Sequence, residues 1–99
     1  MAAATPENAV KRRIRKVLKD RKVYCFAASA GPFSVHGVPD IICCVNGMFV
    51  GIEVKAPGKI NSLTQNQRYH INTIRVNGGK AIVTDNEQDV IDLLDEIMP

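Results

Sequence analysis

Two carboxylates and one lysine occupy matched positions on either side of a sharp turn. Asn46-Gly47 is the dipeptide most typical of a two-residue β-hairpin turn, and residues equally distant from such a turn face each other across the ladder. Asp40 is therefore expected opposite Glu53, and Lys55, two residues farther along, points to the same face. Opposed carboxylates destabilise a sheet unless positive charge compensates them, so the pattern predicts a cation site.

This cluster has the groups that hydrolysis of a phosphodiester bond requires. The reaction needs an activated water, a Lewis acid on the phosphoryl oxygen and compensation of the developing negative charge. Carboxylate oxygens favour Mg²⁺ or Mn²⁺ as the cofactor, and no organic cofactor is indicated. Lys55 is compatible with orienting or deprotonating the water, with stabilising the phosphorane, or with merely neutralising Glu53.

Helices and strands on both sides of the hairpin must hold these residues in place. Apolar residues at helical spacing, caps and turn residues predict an α/β chain in one domain over residues 1–99, with a mixed central sheet flanked by helices. The predicted order is helix (6–21), strand (23–27), strand (40–45), strand (48–55), helix (64–78), strand (80–84) and helix (86–97). Thr5, Thr64 and Asn86 are the expected N-caps.

The apolar side chains expected in the core follow the helical and strand periods. One face of the hairpin is apolar, which fixes the register and leaves the carboxylates on the other face. The expected core residues are Val10, Ile14, Val17, Leu18, Ile41, Cys43, Val45, Met48, Val50, Ile52, Leu63, Ile71, Ile74, Val90, Ile91, Leu94 and Ile97.

Two further polar residues are compatible with a place at the cluster or with a local role. Glu7 precedes Val10 and Ile14 on the inward stripe of the first helix, yet an acid in a first turn is also favoured by the helix dipole. Gln67 lies three residues after Thr64, the spacing of a capping box. It could help to position the site, cap the helix, or do both.

Charge is segregated along the chain. Eight of the 13 basic residues lie between residues 11 and 22, and six of the ten acids lie between residues 85 and 96, within a net charge of +3. A concentrated basic segment suits a phosphate backbone, although a solvated helix face also explains it. The residues expected to contact nucleic acid are Lys11, Arg12, Arg15, Lys16, Lys19, Ser29, His36, Lys59 and Arg68.

Composition favours an ordinary globular chain in a reducing compartment. Apolar residues make up 45% of the sequence, and no apolar run reaches the length of a membrane span. The three cysteines stand in apolar runs without metal-binding spacing, and they are interpreted as buried thiols of a cytoplasmic protein. His36 and His70 lack the spacing of metal ligands to each other.

Three segments resemble the motifs of a nuclease superfamily. Gly37-Val-Pro-Asp40 followed by Glu53-Val-Lys55 is similar to the PD-(D/E)xK signature, and Leu63-Thr-Gln-Asn-Gln67 resembles the helix-start glutamine motif of its VRR-NUC branch. The likeness covers residues 7 to about 84 and implies a restriction-endonuclease-like αβββαβ core with an added C-terminal helix. It also implies Mg²⁺ or Mn²⁺ bound by Asp40, Glu53, the carbonyl of Val54 and Glu7, with Lys55 catalytic and Gln67 at the site.

The resemblance implies a structure-selective DNA endonuclease, similar to stand-alone viral and bacterial members of the branch. Resolvases of this superfamily cut four-way junctions as homodimers, and a homodimeric Holliday junction resolvase is the function expected here. A nickase, flap nuclease or exonuclease acting on branched or single-stranded DNA is one alternative. A basic nucleic-acid-binding module without catalysis is the other.

Overall fold

The computed structural model describes residues 5–28, 32 and 35–99. In chain order, the elements of this part are α1 (Pro6–Asp20), β1 (Tyr24–Ala27), β2 (Ile41–Val45), β3 (Met48–Val54), α2 (Gln65–Val76), β4 (Lys80–Thr84) and α3 (Glu87–Ile97). The predicted order is confirmed. Ser29, one of the residues expected to contact nucleic acid, lies outside the described residues.

The four strands form one mixed sheet in the order β1-β2-β3-β4. The first three strands are antiparallel neighbours, and β4 is parallel to β3 because α2 carries the chain back to the starting edge. In the hairpin Ile41 pairs with Ile52 and Val45 with Met48, which is the predicted register. Both strands are one residue shorter than predicted. Strand β2 begins after Asp40, and β3 ends before Lys55.

Helices α1 and α3 pack together on one face of the sheet. Their apolar stripes and the inward residues of β2 and β3 form a continuous core that includes Val10, Ile14, Leu18, Ile41, Cys43, Val45, Val50, Ile52, Val90, Leu93 and Leu94. At its rim, Arg13 pairs with Glu87 at 3.0 Å and Arg21 with Asp95 at 2.7 Å. The prediction for α3 was partly wrong, because Leu93 is buried in the core and Ile91 is only half-buried.

Helix α2 covers part of the opposite face. A Cβ on Gly51 would lie 2.8 Å from Pro39 Cγ and 3.1 Å from Ile74 Cδ1, so the missing side chain lets both residues rest on the backbone of β3. The β1 and β2 part of this face is less covered. Cys44 is exposed there, which corrects the expectation that all three cysteines are buried.

Polar caps begin the three helices at the predicted residues. The side chains of Thr5, Thr64 and Asn86 each accept a hydrogen bond from a backbone N–H in the first turn. These bonds satisfy N–H groups that have no partner within the helix. Among the described residues, no helix is both long enough and apolar enough to cross a membrane.

Candidate active site

Asp40 is held at the entrance of β2 by its backbone and its side chain. The carbonyl of Asp40 accepts a hydrogen bond from Ala28 N at 2.9 Å, which extends the pairing of β1 and β2 by one step. Its Oδ2 accepts a hydrogen bond from Val54 N at 2.8 Å. The preceding Pro39 is buried against Gly51. The Asp40 carboxylate is therefore hydrogen-bonded to the backbone of β3 at the point where the pairing of β2 and β3 ends.

Glu53 is almost completely buried, with 3% of its surface exposed. It lies on the face of β3 that α2 covers, and its Oε2 accepts a hydrogen bond from Gln67 Nε2 at 3.2 Å. A carboxylate in this position is shielded from solvent, so a negative charge on it must be compensated by neighbouring groups or by a bound cation. The predicted proximity of Glu53 to Asp40 is present, since the charge of Asp40 is close enough to raise the pKa of Glu53.

Lys55 is also buried, with 8% of its surface exposed. Its backbone N–H donates to Thr84 O at 2.9 Å, which positions the residue beside the end of β4. Its ammonium group donates to Ser62 O at 3.2 Å and to Gln67 Oε1 at 3.0 Å, and it lies 3.9 Å from Glu53 Oε2. Ion pairing with Glu53 is thus the longest of its three polar contacts.

Gln67 joins the helix cap to the cluster. Its Oε1 accepts hydrogen bonds from Thr64 N and from Lys55 Nζ, both at 3.0 Å, while its Nε2 donates to Glu53. The capping box is complete, because Thr64 Oγ1 accepts from Gln67 N at 3.1 Å. The capping interpretation is confirmed, and the same amide group also contacts both Lys55 and Glu53.

The electrostatics of the cluster favour an added positive charge. Burial, followed by the charge of the neighbouring Asp40, raises the pKa of Glu53 to about 8, against the opposing effect of Lys55. The charge of Glu7 acts in the same direction as that of Asp40. Without a cation, two carboxyl groups at this spacing therefore hold a proton near neutral pH.

Glu7 is linked to Asp40, at the edge of the cluster, by an ion pair that each forms with Lys11. Lys11 Nζ lies 3.2 Å from Glu7 Oε2 and 3.4 Å from Asp40 Oδ1, so one ammonium group bridges the two acids. Glu7 is half-buried at the first turn of α1. The structure therefore brings Glu7 to the vicinity of Asp40, as its inward spacing predicts, and places Lys11 between them.

The donor set suits a hard divalent cation held by few protein ligands. Within residues 5–28, 32 and 35–99, no three His, Cys, Asp or Glu side chains form a ready-made metal cluster. Mg²⁺ often uses only one or two carboxylates and keeps several waters. Asp40 and Glu53 fit that requirement, since Asp40 Oδ1 accepts no backbone hydrogen bond from the described part of the chain and the charge of the buried Glu53 is only partly offset by Lys55. Val54 supplies the backbone between them, and its carbonyl remains the third predicted ligand.

One side of α1 carries the basic residues predicted to contact nucleic acid. Arg12 and Arg15 line two neighbouring grooves, one shared with Asn8 and Lys11 and the other with Lys16, Lys19 and Cys25. Lys16 pairs with Asp20 at 3.0 Å, whereas Arg12, Arg15 and Lys19 form no ion pair within the described part of the chain. Their charges are therefore available to an anionic partner.

The other predicted contact residues flank α2 and the loop before it. Arg68 is exposed and follows Gln67 directly, and Lys59 is exposed in the loop that supplies the carbonyl of Ser62. His36 is exposed beside Gly37, whose backbone lies so close to Asn66 that a Cβ would meet it at 2.6 Å. These three residues thus surround the beginning of α2, separately from the basic side of α1.

Several site contacts were not predicted. The bridge formed by Lys11, the carbonyl of Ser62 on Lys55, and the backbone bonds from Ala28 and to Thr84 all join residues from separate elements. A local pattern offers no signal for such contacts, because each depends on how helices and loops are placed against the sheet. His70 lies away from the carboxylates, in a groove with Phe49, Thr73, Ile74, Asn77 and Gly79.

Comparison with known proteins adds no relative. The chain matches no protein-family model, and no curated protein is significantly similar to it.

Proposed function

We propose that this chain is a Mg²⁺- or Mn²⁺-dependent, structure-selective DNA endonuclease of the VRR-NUC branch of the PD-(D/E)xK superfamily, with a restriction-endonuclease-like core. The observation that carries the proposal is a cluster in which Gln67 is hydrogen-bonded to both Lys55 and Glu53, while Asp40, bonded to Val54 N, lies close enough to raise the pKa of Glu53. These residues come from separate segments of the chain. Their convergence on a basic protein supports phosphodiester chemistry better than it supports a purely structural role.

Each residue of the set has a role that its contacts allow. Asp40, Glu53 and the carbonyl of Val54 would hold the cation, which when bound supplies Lewis acidity and lowers the pKa of a water molecule. Lys55 is held by Gln67 and Ser62 at 3.0 and 3.2 Å, so its ammonium group has a defined position beside Glu53. A positioned ammonium group orients the water or stabilises negative charge on the phosphoryl group.

The basic side of α1 would guide one DNA strand toward this site. The second turn of the helix contacts Asp40 through Lys11, and the basic residues continue from there to Lys19. Eight residues of helix extend about 12 Å at about 1.5 Å per residue. This length corresponds to about three or four nucleotide steps at about 3.4 Å per step. Few side chains remain for reading bases, which favours recognition of DNA structure over sequence.

Self-association would place two such sites on one branched substrate. Tyr24 and Phe26 on β1 are 73% and 51% exposed, and Phe49, at the edge of the groove beside α2, is 48% exposed. Exposed aromatic patches of this kind are typical of protein interfaces. A homodimer related by a twofold axis would present two sites to two strands of a four-way junction. We therefore propose a Holliday junction as the substrate.

Cleavage of defined DNA structures tests this proposal. Labelled four-way junction, flap and linear duplex DNA are incubated with and without Mg²⁺ or Mn²⁺, using wild type, Asp40→Asn and Lys55→Met. Asp92→Asn, an exposed change on α3, is the matched control for loss of an acid. Paired metal-dependent cuts across the junction, retained in the control and lost in both site variants, would support a dimeric resolvase.

The other outcomes separate the alternatives. Cutting confined to flaps or DNA ends would replace the resolvase by a branched-DNA nickase or an exonuclease. Binding of all three DNAs without cutting, in the presence of metal, would refute catalysis on these substrates and favour a nucleic-acid-binding module.

A further inference from the structure

Lys11 occupies the side of Asp40 that the backbone leaves open. Asp40 Oδ2 accepts the hydrogen bond of Val54 N at 2.8 Å, whereas Oδ1 faces the ammonium group of Lys11 at 3.4 Å. The same ammonium group lies 3.2 Å from Glu7 Oε2. One positive charge therefore already stands between two of the acids expected to approach a divalent cation.

Lys11 can leave this position without disturbing the core. Its side chain is 30% exposed, and it also borders the groove lined by Asn8, Arg12 and Arg15. A lysine side chain is a flexible four-carbon chain with a compact charge, so it moves between partners at little cost. Lys55 differs in this respect, because it is buried and held by two hydrogen bonds.

We propose that Lys11 and the divalent cation compete for Asp40 Oδ1 and Glu7, so that metal binding releases the Lys11 ammonium group into the basic groove of α1. The inference rests on the proposed metal-dependent function. In the metal-free protein, the Lys11 ammonium group supplies part of the positive charge that the divalent cation would bring to Asp40 and Glu7. In the metal-loaded protein it becomes a phosphate-binding group directly beside the site, so metal binding and DNA binding favour each other.

Mn²⁺ affinity measured by electron paramagnetic resonance tests the competition without any activity assay. Metal-free wild type, Lys11→Met and Lys11→Arg are titrated with Mn²⁺ at constant ionic strength. Lys16→Met is the matched control, because Lys16 forms the same i,i+4 ion pair on the same helix with Asp20, at 3.0 Å. Its charge change equals that of Lys11→Met.

Removing and strengthening the competitor should shift the affinity in opposite directions. Lys11→Met should bind Mn²⁺ about tenfold more tightly, since it removes two partly exposed ion pairs that are each worth up to a factor of about five. Lys11→Arg should bind Mn²⁺ more weakly than wild type, because a guanidinium group pairs with carboxylates more firmly. Lys16→Met should stay within about twofold, because screening weakens its distant charge.

The remaining results distinguish this inference from the proposed function. Equal Mn²⁺ affinity in wild type and Lys11→Met, or weaker binding by Lys11→Met, would overturn the competition and leave the metal-dependent nuclease standing. Absence of Mn²⁺ binding in every variant would overturn both. Binding by Lys11→Met alone would support the competition in its strongest form.

Discussion

Replacing Gln67 with alanine would remove three hydrogen bonds, and only one of them belongs to the helix cap. The amide group accepts from Thr64 N and Lys55 Nζ and donates to Glu53 Oε2. Thr64→Ala, by contrast, removes the bond from Gln67 N to Thr64 Oγ1 and leaves the buried contacts in place. A comparison of the two variants therefore separates the capping role from the site role.

The expected costs differ by more than the error of the measurement. Loss of a threonine N-cap costs about 1 kcal/mol. Hydrogen bonds to charged groups are worth about 1.5 to 3 kcal/mol each. Lys55 keeps Ser62 O, and Glu53 holds a proton near neutral pH in EDTA, so the lower end of that range applies. Gln67→Ala should then cost about 3 to 4 kcal/mol, at least about 2 kcal/mol more than Thr64→Ala.

Urea unfolding followed by far-ultraviolet circular dichroism in EDTA measures this difference. With a slope of about 1 to 2 kcal/mol per molar urea, 2 kcal/mol lowers the unfolding midpoint by about 1 to 2 M. Gln67→Met, which keeps most of the side-chain volume, should lose nearly as much stability as Gln67→Ala if hydrogen bonds dominate. Equal losses in Thr64→Ala and Gln67→Ala would refute the reasoning and leave Gln67 as a capping residue alone.

Three further predictions follow from other contacts. In EDTA the protein should lose stability between pH 4.5 and about 8, because the folded state raises the pKa of Glu53 from 4.5 to about 8 and keeps a proton that the unfolded chain has released; thermal unfolding of Glu53→Gln should lack this slope. Gly51→Ala should lower the free energy of unfolding in urea by about 1 to 3 kcal/mol, because the added Cβ would lie 2.8 Å from Pro39 Cγ. A decrease below about 0.5 kcal/mol would show that this contact is not tight. Arg12→Gln should lower the slope of log affinity for DNA against log salt by about 0.9, whereas Arg13→Gln should change it little because Arg13 pairs with α3, and equal effects would contradict the groove on α1.

The hairpin could be predicted because its signals are local. Asn46 and Gly47 have φ angles of 49° and 81°, the left-handed conformation that both residues tolerate and that a tight hairpin turn requires. Apolar alternation then leaves a single register that buries one face, and the pairing of Ile41 with Ile52 follows from it. The relation of Asp40 to Glu53 was therefore accessible from the sequence before any tertiary contact was known.

The surroundings of the carboxylates could not be predicted in the same way. The ammonium group of Lys11 meets Asp40 only because the N-terminal half of α1 lies beside the start of β2. The exposure of Cys44 depends on how far α2 extends across the sheet. For Gln67 the capping box was visible as a spacing, while its bonds to Lys55 and Glu53 required the position of the whole helix. Contacts of this kind leave no periodic pattern in the sequence from which they could be predicted.

The roles proposed for the two lysines differ because their surroundings differ. Lys55 has lost most of its contact with water, and its position is determined by a glutamine amide and a backbone carbonyl. It can act at a defined point but cannot move far. Lys11 remains partly in water and is held only by carboxylates, which a divalent cation also binds. A fixed positive charge suits catalysis. A displaceable one suits a lysine that leaves its carboxylate partners when metal binds and then pairs with a DNA phosphate.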